Sequence, residues 1–138
     1  MAVYTQIDNP ELYFQCKAYS GTGSSLALTF DGSEDMQANL VWLKCRSHSG
    51  NHFLYDSIRG ANRSLVPNDT DAEDTSGEST NYLTSFDSDG ITLGGSYNNT
   101  NASGRTYVAW CWKESADAGF DIVTYTGNAT ARTISHSL

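Results

Sequence analysis

Two groups of carboxylates stand where metal or acid–base chemistry would put them. Asp69, Asp71 and Glu73 alternate along a polar stretch, with Asp74 and Glu78 close behind. Alternating carboxylates in a loop can gather oxygen ligands round Ca²⁺. The stretch has no glycine where a calcium loop bends, so a solvated acidic loop is the plainer reading, and no other cofactor is expected. In YDSIRG, Asp56 and Arg59 lie beside apolar residues, where a charge drawn inward must be paired. Glycoside hydrolysis by Asp56 would need a second acid at controlled separation, and none sits in an apolar strand. A structural Asp56–Arg59 pair is therefore expected, and an enzyme is not. His48 and His52 flank Gly50 and Asn51 rather than riding one helix face, which withholds the geometry of a zinc site. No GxSxG, no phosphate loop and no Cys with a partner His appears.

Binding chemistry has more candidates. Aromatic faces stack on pyranose rings and amides bond hydroxyls, so Tyr97 with Asn98 and Asn99, and Tyr82 with Asn81, could hold a glycan from polar loops. The same residues decorate many β-sandwiches. Five Asn-x-Ser/Thr sequences, at Asn62, Asn68, Asn98, Asn101 and Asn128, mark surface loops.

The elements that must position these residues read as strands. FQCKAYS alternates with a two-residue period; LVWLKC sets Val41, Leu43 and Cys45 opposite Trp42 and Lys44; YVAWCW is apolar on both faces, with Trp110 and Trp112 on one of them. Apolar residues on both faces predict a central strand under cover. Asp87 to Gly90, bounded by alternating residues, is a hairpin turn in which the Asp side chains should accept from turn amides. Pro67 to Asn81 is the longest loop. Two more strands are expected after Phe120. With eight or nine short strands and almost no helix, the fold class is an antiparallel β-sandwich, of jelly-roll or concanavalin-like form.

Bulk properties narrow the partners. Within 138 residues, 16 acidic side chains face 8 basic ones for a net charge of −8, which excludes a phosphate-binding surface and so nucleic acid. No stretch is long and apolar enough for a membrane span. Three cysteines at wide spacing fit neither a disulfide framework nor a zinc site, and read as reduced and buried.

The segments NPELYFQ, AYSGTGS, LVWLKCRS, LYDSIRGA, NDTDAE, LTSFDSDGITLG and TYVAWCWK, in that order, resemble a repeat of virion structural and tail-fibre-like proteins of marine tailed phages. The resemblance spans residues 7 to 113. It implies a lectin-like sandwich with no catalytic residues, in a particle assembled in the bacterial cytoplasm. It also implies partners among other virion proteins and copies of itself, with a host-surface glycan as the alternative. The closing FDIVTYTGNATARTISHSL echoes the first strand, with Phe120 on Phe14, Tyr125 on Tyr19, Gly127 on Gly21 and Ile134 on Leu28. The expected organisation is thus a unit over 1–113, a linker over 114–119 and the start of a second repeat over 120–138, which makes the chain the beginning of a longer protein.

Overall fold

A computed structural model describes residues 7–75 and 82–138, so Glu78 and Asn81 lie outside the described residues. Seven strands are present among them: β1 (Phe14–Ser20), β2 (Leu26–Leu28), β3 (Leu40–Cys45), β4 (Phe53–Asp56), β5 (Leu83–Asp87), β6 (Gly90–Leu93) and β7 (Thr106–Trp112). The sole helical element among the described residues is one 3₁₀ turn, Pro10–Leu12, capped by the Asn9 side chain. The chain is all-β. Its four-stranded sheet runs β1-β7-β3-β4 and its three-stranded sheet β2-β6-β5, every strand pair being antiparallel. The count falls short of the eight or nine strands expected. β2 keeps only three residues, and 120–138 adds just an isolated bridge between Ser115 and Phe120.

The two sheets face each other across one core. Val41, Leu43, Phe53, Tyr55, Ala109 and Cys111 meet Leu28, Leu83, Ile91 and Leu93 in a single buried cluster. Fully burying one such large aliphatic or aromatic side chain contributes roughly 1.5–3 kcal/mol, so this cluster dominates the fold. The alternation on β3 runs as expected, with Val41, Leu43 and Cys45 inward.

On β1 the inward set is Gln15, Lys17 and Tyr19, and it is polar. Gln15 is buried because its amide is satisfied: Oε1 accepts from Gly32 N at 3.1 Å and Nε2 donates to Glu11 O at 3.1 Å. Tyr19 donates to Thr100 O at 2.6 Å and stacks on Tyr107. Phe14, Cys16 and Ala18 therefore point outward. Cys45 and Cys111 are buried as expected, but Cys16, expected buried, is exposed because it lies on the outward side of β1.

Asn101 corrects the surface reading of its sequence motif. It is fully buried, its Oδ1 accepting from Thr22 N at 2.9 Å and its Nδ2 donating to Ser24 O at 2.6 Å and Gly94 O at 2.8 Å. One amide thus ties the β1–β2 loop to the β6–β7 loop at the end of the sandwich.

Candidate functional site

The largest departure from expectation is on the outer face of the four-stranded sheet. β7 is central, as its sequence predicts, but no second layer covers it among the described residues. Cross-strand register sets side chains of paired residues on the same face. One row therefore runs Cys16, Trp110, Trp42, Leu54, a second Phe14, Trp112, Leu40, Asp56, and a third Ala18, Val108, Lys44. Trp42, Trp110 and Trp112 are half-buried, and Phe14 is 40% exposed.

The rings on this face are held in place. Trp42 meets Trp110 edge to face with centroids 6.0 Å apart, and Phe14 tilts against Trp112 at 5.1 Å. Trp42 Nε1 donates to His52 Nδ1 at 3.0 Å, which requires the imidazole to be unprotonated at that nitrogen. Burial, and then the charge of Lys44, hold the His52 pKa below its ordinary value. The three tryptophans and His52 line a shallow, almost wholly apolar hollow. Phe14 and Trp112 continue it toward Tyr13 and Phe120. Carboxylates are nearly absent from the three rows: Asp56 alone belongs to them, and it is neutralised.

Asp56 is ion-paired with Arg59. Arg59 Nε donates to Asp56 Oδ2 at 2.5 Å and Arg59 N to Oδ1 at 2.8 Å, while Arg59 Nη1 reaches Glu73 Oε1 at 3.0 Å. Glu73 also lies 3.8 Å from Arg63. That commitment turns Glu73 away from Asp69, whose own oxygens accept from Thr70 N and Asn51 Nδ2. Asp69, Asp71 and Glu73 are not brought together, and no group of three metal-ligating side chains is gathered among the described residues.

Tyr82 and Tyr97, by contrast, do meet. Their rings are perpendicular with centroids 4.9 Å apart, and both pack on Phe53, so they are half-buried rather than displayed on loops. Together with Asn51, Ser64, Val66, Asp71, Ala72 and Asp74 they line a cleft of about 360 Å³. Tyr82 OH donates to Asp74 Oδ2 at 2.8 Å; burial first, and this bond next, push its pKa up. Ser64 Oγ is buried and has no hydrogen-bond partner among the described residues. Asn98 and Asn99 do not join the cleft. The Asn98 carbonyl accepts from Arg105 and from Tyr107 OH, and the Asn99 amide lies against Gly50. Sequence reasoning missed Ser64 and Asn51 because neither is distinctive until the loops close.

In the hairpin, Asp87 and Asp89 accept from groups other than turn amides. Asp87 takes the hydroxyls of Ser85 at 2.6 Å and Thr92 at 2.7 Å, and Asp89 takes Met36 N at 3.3 Å.

Among families, the model described as "Domain of unknown function (DUF7483)" matches residues 9–138, and the chain belongs to that family. Comparison with curated proteins and with solved structures gives no match.

Proposed function

We propose that the chain is a non-enzymatic assembly module, a sandwich of jelly-roll or concanavalin-like type that packs through its tryptophan-bearing sheet face against a second copy of itself. One observation carries this reading: a four-stranded sheet presents Trp42, Trp110, Trp112 and Phe14 to solvent with no covering layer among the described residues. Contiguous exposed aromatic surface of this kind marks interaction sites. Self-packing suits the charge pattern. On a chain of net charge −8, this face carries no unpaired carboxylate in its three rows, so two copies can meet there without opposing carboxylates. The setting drawn from the motif series is a tailed-phage particle, in which such a module serves as a fibre, decoration or adaptor subunit among virion proteins.

Sedimentation equilibrium in reducing buffer tests the reading. Wild-type chain should associate with rising concentration, and Trp110→Lys, which places a charge at the centre of the face, should weaken association by about tenfold or more. Concentration-independent monomers, or association that Trp110→Lys leaves intact, would overturn it.

A second reading is favoured by Ser64 Oγ in the Tyr82–Tyr97 cleft, which has no partner among the described residues. Aromatic walls with Asp71, Asp74 and Asn51 as hydrogen-bonding groups suit a hydroxyl-rich ligand such as a host-surface glycan. A glycan array should then give hits that Tyr97→Ala abolishes, and an array without hits from folded protein would remove this reading.

A further inference from the structure

The outer face ends at β1, and the edge of β1 is open. Lys113 N donates to Tyr13 O and Gly21 N to Arg105 O. These two bonds bracket the β1–β7 ladder in a single register. Alternation along an antiparallel pair then assigns the backbone groups of Gln15, Lys17 and Tyr19 to β7. Those of Phe14, Cys16, Ala18 and Ser20 point away from the sheet. β1 is the terminal strand of its sheet, so among the described residues these N–H and C=O groups form an unpaired row, the template on which another strand adds. The usual protections are weak here. β1 has no proline, and its one charged residue, Lys17, points inward and is neutralised by Asp31 at 2.9 Å.

A strand suited to this edge lies elsewhere in the chain. Ile122–Thr126 reads IVTYT, five residues that are all β-branched or aromatic, and it echoes β1, with Tyr125 on Tyr19. It forms no strand of its own. From Val123 onward every side chain is exposed, Tyr125 at 67% and Val123 at 42%. The stretch is launched from a fixed point. Ser115 and Phe120 exchange both backbone hydrogen bonds, at 2.9 and 3.1 Å, and Phe120 lines the hollow beside Phe14 and Trp112. Glu114 Oε1 and Asp121 Oδ1 both accept from Ile122 N at the same turn, at 3.3 and 2.9 Å.

We infer that Ile122–Thr126 of one copy adds as a strand to the free edge of β1 in a second copy, extending the four-stranded sheet and its apolar outer face across the contact. This names the partner segment for the self-assembly proposed above and rests on that reading. An exposed, β-prone segment and an unpaired edge complete each other's backbone hydrogen bonds. Each bond contributes modestly by itself, and the row acts together with the apolar face continued beside it.

Thr124→Pro, outside the tryptophan face, separates this contact from it, while Cys16→Pro tests the edge itself. The Cys16 N–H points to the open edge, so Cys16→Pro removes an edge donor while leaving the β7 ladder intact. Thr124→Pro alters only the exposed segment and cannot harm the core. By sedimentation equilibrium under reducing conditions, either variant should weaken self-association by about tenfold or more, with thermal unfolding of Thr124→Pro unchanged. A Thr124→Cys variant mixed with wild type and then oxidised should cross-link to Cys16 of the other copy. If both proline variants associate like wild type while Trp110→Lys does not, strand addition is wrong and face-to-face packing stands. If the wild type is monomeric throughout, both readings fall.

Discussion

At the scale of single residues, the molecule uses polar groups to fix apolar ones. His52 exists in the fold to accept from Trp42, and its neutral ring sets the orientation of the largest side chain on the outer face. Because its pKa is pushed down, the unfolded chain takes up a proton at a higher pH than the folded chain does. The stabilisation is therefore complete above the ordinary histidine value and is lost as pH falls through it toward the lower folded value. Tryptophan emission of the folded protein should change as pH falls through the lower folded value, and the change should be absent in His52→Gln, whose side-chain oxygen accepts without titrating. Much of this scale was legible in sequence. A charge in an apolar strand had to be paired, which gave Asp56–Arg59. Asn101 was not legible, because an amide that ties two loops cannot be told from an amide on a surface until the loops have met.

At the scale of elements, alternation located the strands but did not say which face of β1 turns inward. Phe14, Cys16 and Ala18 are the more apolar set, yet Gln15, Lys17 and Tyr19 are the ones with partners waiting: Gly32 and Glu11, Asp31, and the Thr100 carbonyl. Tertiary hydrogen bonding overrode hydrophobicity. The Asp-Gly hairpin was readable because its turn chemistry is local. Gly90 has a φ of 114°, and a Cβ there would lie 2.0 Å from the Leu28 carbonyl oxygen. Gly60 also has a positive φ, 98°, but open space around it. Urea unfolding should show Gly60→Ala costing about 1 kcal/mol from backbone strain alone, and Gly90→Ala clearly more, on the order of 2–4 kcal/mol, because the β2–β6 contact must also shift. Equal costs would mean that β2 yields freely to β6.

At the scale of the whole molecule, the two sheets enclose one core and leave a second apolar surface outside it. The sequence of β7 already held this information, since a strand apolar on both faces needs cover on both. It could not say where the cover would come from. Its inner cover is the three-stranded sheet, and the outer cover is assigned here to another copy. All three tryptophans of the chain, Trp42, Trp110 and Trp112, sit on that outer face, so tryptophan fluorescence reports on it and on nothing else. The decisive measurement is acrylamide quenching of that fluorescence across a concentration series under reducing conditions, with the associated fraction followed in parallel by light scattering. Quenching should fall in step with association as the face becomes covered. Association with undiminished quenching, or no association at any concentration, would contradict assembly through the tryptophan face.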